Sequence, residues 1–80
     1  MSTNQRKKFF GDVVRRRRKA AGLTQEQLSH RSGLTAAFIS LVENGHKALS
    51  ILSLQQLASA LDVKAAAMIA EWERKCERRP

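Results

Sequence analysis

The stretch Gln25 to Asn44, QEQLSHRSGLTAAFISLVEN, decides the fold, because it reads as two short helices joined through Gly33. The first opens after Thr24, whose hydroxyl can cap the exposed amides, and Gln27 three residues on completes a capping box. It is barely two turns long and ends before Gly33. The second begins after Thr35 as N-cap, carries Phe38, Ile39 and Val42 on one side, and is terminated by Asn44 and Gly45. Helices this short are not stable alone, so they need each other and a third element. A sharp turn of this kind sets them at roughly 90 to 120 degrees. Ser29 offers the small side chain that close helix approach requires, Gly33 makes the turn, and Leu28, Leu34, Ile39 and Val42 plug the shared core. Ala36, Ala37, Ser40, Leu41 and Asn44 are left on the outward face of the second helix.

Working outward, a first helix is predicted from about Arg6 to Ala21, with Phe10, Val13, Val14 and then Arg17 or Arg18 at three-to-four spacing, stopping at Gly22. Gly11 weakens it locally. Residues 1–5 are expected to be disordered. A fourth helix starts near Ser50 and sets Leu54, Leu57, Ala58 and Leu61 in a stripe that must be buried, ending at Asp62. A fifth runs over 64–79, with Ala65, Met68, Ile69, Trp72 and Cys76 recurring every three or four residues among charged ones. With its one proline at Pro80 and no alternating strand pattern, the chain is expected to be all-α: a compact five-helix domain over 6–79.

Eighty residues fit one small domain and exclude a multidomain enzyme. A core this thin gains from a partner subunit. The formal net charge is +8, and residues 1 to 50 carry +7 of it, so polyanions are the expected partners and the first half is expected to meet them. The single Cys76 excludes an intramolecular disulfide and a paired-cysteine metal knuckle, which points to a reducing cytoplasm. The apolar runs are too short for a membrane span or a signal peptide. Neither a nucleophile with its base, nor a paired carboxylate cleft, nor a metal cluster can be read from the residues, so the expectation is no enzyme and no cofactor.

These residues resemble the helix-turn-helix domain of the phage lambda repressor and Cro type (XRE family), over about residues 10 to 69. The resemblance is carried by Phe10-Gly11, Arg15 and Arg18, Gly22 through Leu28, Gly33-Leu34-Thr35, Phe38-Ile39-Ser40, Glu43-Asn44-Gly45, and Leu54 through Leu57-Ala58 to Ala60-Leu61 and Val63. It implies a lambda-repressor-like fold in which helices 2 and 3 form the motif and the third lies in a DNA major groove. By the same resemblance, Ala36, Ala37, Ser40 and Leu41 fall where base edges are touched. Arg18, Gln25, Phe38, Asn44, His46 and Lys47 fall where phosphates are gripped, with Gln25 at a positive helix end. Arg18 and Glu43 match a pair that joins the first helix to the third. The chain departs from the pattern at the reading face, which is mostly apolar. Bidentate readout of guanine or adenine is lost, and thymine methyl contacts become the source of preference.

Plainer readings stand beside these. Arg15 to Lys19 point in all directions around a helix, so only one or two of them can meet one phosphate track. Phe38 fits the core at least as well as the sugar-phosphate backbone. The stripe Met68, Ile69, Trp72, Cys76 is either folded back or offered to a second copy, and a large Trp on a thin core favours a homodimer joined there. The expectation is therefore a homodimeric regulator of transcription on a pseudo-palindromic operator, repressing by default and open to contact with RNA polymerase. The small size resembles controller proteins of restriction-modification systems, or antitoxins of toxin-antitoxin pairs. The rivals are a protein-protein adaptor and a peripheral membrane protein using Phe9, Phe10, Val13 and Val14.

Overall fold

In the computed structural model, which describes residues 1–78, the chain forms five α-helices: α1 Thr3–Ala20, α2 Gln25–Ser32, α3 Ala36–Glu43, α4 Ile51–Ala60 and α5 Ala65–Glu77. No strand occurs among the described residues. The core is built from all five helices, by Val13, Val14, Leu28, Ile39, Val42, Leu54, Leu57, Ala58 and Met68, joined by Leu23 and Leu61 from the connecting turns. A fully buried Leu, Ile or Met of this kind contributes about 1.5–3 kcal/mol. Helix α1 packs against α3 and α5, while α2 and α4 close the other side.

The short helices start where the sequence says they should. Thr24 accepts from the Gln27 amide at 3.1 Å while the Gln27 side chain accepts from the Thr24 amide at 2.9 Å, closing the box. Thr35 caps α3 through Phe38 and Ser50 caps α4 through Ser53. Gly33, at φ 79°, ends α2 in the left-handed region and turns the chain into α3. Ser29 does more than make room at this turn, since its hydroxyl donates to the Leu34 carbonyl at 2.5 Å.

Three expectations are corrected. Of residues 1–5, expected to be disordered, Thr3 to Gln5 form the first turn of α1, because Ser2 caps the helix in a reciprocal capping box with Gln5. The fifth helix is expected to run to 79, but it ends at Glu77, and residue 79 lies outside the described residues. The stripe expected at an intersubunit seam mainly folds back on its own chain. Met68 is fully buried in the core, so it cannot serve a seam. Trp72 stacks edge-on to Phe10 at 5.6 Å between centroids and donates its indole N–H to the Arg6 carbonyl at 2.9 Å. Apolar area on α5 is thereby spent on α1, which a chain with a thin core requires.

Gly11 also has a reason that helix propensity hides. It is buried where α1 crosses α3, and a Cβ placed there would collide with the Val42 carbonyl oxygen and lie 2.7 Å from that of Glu43. Both obstacles are backbone, so they cannot rotate away. Gly11→Ala, which would stabilise an exposed helix by about 1 kcal/mol, is expected here to lower the melting temperature by at least 4–8 °C, an overpacking loss of about 1–3 kcal/mol. A thermal melt followed by circular dichroism checks it.

Candidate nucleic-acid interface

The site is built around the back of α3. Glu43, in its last turn, is 1% exposed and carries a carboxylate into the junction of three helices. Arg18 meets it with two bonds, Nε to Oε2 at 2.7 Å and Nη2 to Oε1 at 3.0 Å, and spends Nη1 on the Leu23 carbonyl at 2.9 Å. Arg15 adds Nε to Oε1 at 3.3 Å, and Gln25 adds Nε2 to Oε1 at 3.1 Å. Arg15 then reaches the Asn44 side-chain oxygen at 2.8 Å. Three side chains from α1 and α2 are thus fastened to one buried carboxylate, and Arg15 also ties its neighbour Asn44.

Burial is the largest influence on Glu43 and by itself would raise its pKa. The hydrogen bonds from Arg18 and Gln25, the Arg18 charge and the Arg15 hydrogen bond together outweigh it and hold the carboxyl below the usual glutamate range. The same bonds raise the Arg18 guanidinium further, against the lowering effect of burial.

The opposite face of α3 is open. Leu41 is 43% exposed and Ala37 is exposed, with Ala36 and Ser40 half-buried beside them. Phe38 is half-buried and leans on the core. Asn44, His46 and Lys47 follow in an exposed turn. The four residues expected to touch bases therefore share one side and one rim of the molecule with this turn.

The phosphate set is redistributed. Gln25, expected to direct its amide to a phosphate, has that amide committed to Glu43 instead. Arg18 is 11% exposed at its side chain and each of its three nitrogens bonds Glu43 or Leu23, so it serves the fold first. Arg16 and Arg17 both bind Glu71 of α5, at 2.6 and 2.8 Å through their Nε atoms, and Glu71 too is held below the usual range, the two arginines overcoming the upward push of burial. Four of the five cations from Arg15 to Lys19 are consequently paired with carboxylates of the same chain, although Arg15 and Arg16 keep much of their side chains in solvent. Residue spacing alone could not show this, since Glu43 and Glu71 are far from the arginines in sequence. Arg15 as a partner of Glu43 was the legible omission: it lies one turn before Arg18 on the same helix face.

Glu43→Gln keeps the shape but leaves Arg18 buried without its charge partner. A loss of about 3 kcal/mol or more is expected in urea melts. Because the folded pKa is depressed, the stability Glu43 contributes is complete above the ordinary glutamate range and is lost as pH falls through the lower folded value. The variant should therefore show a flatter loss of stability than the wild type on acidification.

The comparisons agree with this geometry. The helix-turn-helix family matches residues 14–68. A protein of Sinorhizobium fredii described as the uncharacterised HTH-type transcriptional regulator y4dJ is 37% identical over 57 residues, which cover 71% of this chain and 74% of that protein. Among solved structures, the restriction-modification controller protein C.AhdI of Aeromonas hydrophila superposes with a TM-score of 0.76 at 35% identity, covering 78% of this chain and 94% of that one. A point mutant of the restriction-modification controller protein C.Esp1396I gives 0.84 at 25% identity, covering 94% and 95%. With the crossed α2–α3 pair, its exposed outer face and these relatives, the chain belongs to the XRE-type helix-turn-helix family of DNA-binding transcriptional regulators and has the lambda-repressor-like fold.

Proposed function

We propose that this protein is a sequence-specific regulator that binds a pseudo-palindromic operator as a homodimer and controls the promoter it occupies, with repression as its default and a surface open to RNA polymerase. The observation that carries the reading is the outer face of α3: Ala37 and Leu41 lie open to solvent while the back of the same helix is tied down through Glu43. Ala36, Ala37, Ser40 and Leu41 offer methyl and methylene groups and one hydroxyl, so the face suits thymine methyls and carries no fork for guanine. Part of the specificity then falls to DNA shape and to the spacing of two half-sites. Lys47, His46, Asn44 and the start of α2 are the phosphate-side elements in this reading, with Phe38 bracing the sugar-phosphate edge. Likeness to two restriction-modification controller proteins favours a controller of that kind.

For the homodimer, the first turn of α4 replaces the stripe on α5. Ile51 and Leu52 are 78% and 70% exposed, more than any other large apolar side chain among the described residues. Leu49 and Leu54, which flank them in sequence, line a groove with Phe10, Ile69 and Trp72. An isologous contact would set the exposed Ile51–Leu52 knobs of two copies against each other about the two-fold axis, burying both and leaving the Lys7 and Lys47 edge of the groove open. Ile69 and Trp72 line the groove of their own chain and Cys76 is half-buried, so the α5 stripe leaves the seam to α4 in this reading. Engaging two half-sites requires such a seam to hold the two copies of α3 about one DNA turn, ~34 Å, apart.

Binding-site selection from random duplexes is expected to return a two-fold site rich in A·T steps opposite α3; selection of no motif would overturn sequence specificity. Leu41→Glu should abolish operator binding with circular dichroism and melting unchanged, by pressing an unpaired carboxylate on DNA. Ile51→Asp with Leu52→Asp should yield monomers in sedimentation, and persistent dimers would move the seam elsewhere.

A further inference from the structure

The family match begins at residue 14, yet α1 starts at Thr3. Its first turns are firmly held. The Ser2–Gln5 box closes the end, the Trp72 indole grips the Arg6 carbonyl, and Gly45 lies so close that a Cβ on it would sit 2.9 Å from the Lys8 Cα. Lys8 is therefore set against the turn that follows α3. Lys7 and Lys47 line one groove beside it. Lys8 and Lys47 are exposed, and among the described residues none of the three lysines has an ion pair, in contrast to Arg15 through Arg18.

We propose that Lys7 and Lys8, with Lys47, form a second phosphate-binding ledge that grips the DNA backbone beyond the C-terminal end of α3. The inference rests on the DNA reading above and adds a contact outside the matched family region. Lys7 and Lys47 line one groove and Lys8 abuts the turn that carries Lys47, so a polyanion lying along that edge meets all three charges. A duplex entered by α3 brings its backbone past the 44–47 turn, and Lys8 is fixed to that turn by backbone contact at Gly45. The competing role is internal: α3 has no basic residue in its last turn, so Lys8 and Lys47 could serve only to offset the negative end of that helix. That role would show in stability and not in the salt dependence of binding.

The test uses the full chain and fluorescence anisotropy with a random-sequence duplex and with the selected operator, over a series of salt concentrations. Lys8→Gln should flatten the log-log salt slope by about 1 per subunit, and Lys7→Gln with Lys8→Gln by about 2, on both duplexes alike. Lys75→Gln, the same charge loss on α5, should leave the slope unchanged. A wild-type slope in both lysine variants would overturn the ledge, all the more if their melting temperature falls. Equal flattening by Lys75→Gln would overturn it too, by showing a net-charge effect. Wild-type protein that binds neither duplex would instead overturn the DNA reading itself.

Discussion

One buried carboxylate organises this molecule. Glu43 cannot be ionised in the interior without donors on both oxygens, and the donors come from Arg15 and Arg18 on α1 and Gln25 on α2. Hydrogen bonds to a charge are directional in a way that apolar contact is not. The carboxylate therefore sets where α3 sits relative to the two helices around it, and an 80-residue chain has little other core with which to do so. Its position in the last turn of α3 matters: the back of the helix is anchored while Ala37 and Leu41 face outward.

The same network changes the meaning of the net charge. A count of +8 suggests a broadly basic surface, but Arg15 and Arg18 answer Glu43, and Arg16 and Arg17 answer Glu71. The densest basic run is mostly a fastening between α1, α3 and α5. Cations near the recognition helix come instead from Lys7, Lys8 and Lys47, which sequence order separates and the crossing of α1 over the end of α3 brings together. Alongside an apolar reading face, this suits a protein whose affinity comes from the backbone and whose preference comes from methyl contacts, shape and half-site spacing.

Packing of α5 follows from scarcity of core. Met68 and Trp72 could have paired two subunits, yet a single small domain gains more by burying them at home, against Val13, Val14 and Phe10. The apolar surface left over is Ile51 and Leu52 at the start of α4: Leu52 points away from the stripe of Leu54, Leu57, Ala58 and Leu61, and Ile51, at the edge of that stripe, is the first residue of the helix and stays exposed.

Much of the fold was legible in the residues themselves. Caps at Thr24, Thr35 and Ser50, the turn at Gly33, and the buried stripes are local rules acting over three or four residues, so order along the chain is enough to read them. The outward set on α3 was legible for the same reason, as was the pairing of Arg18 with Glu43 through family resemblance. What only the tertiary structure decided involves residues distant in sequence: Gln25 turned inward to Glu43, Arg16 and Arg17 taken up by Glu71, Gly11 and Gly45 serving close backbone approach, and Trp72 folded onto Arg6. Local propensity and spacing carry no information about which of several equivalent cations a remote carboxylate will face. That choice is made by helix crossing, where burial forces every polar group to find its partner.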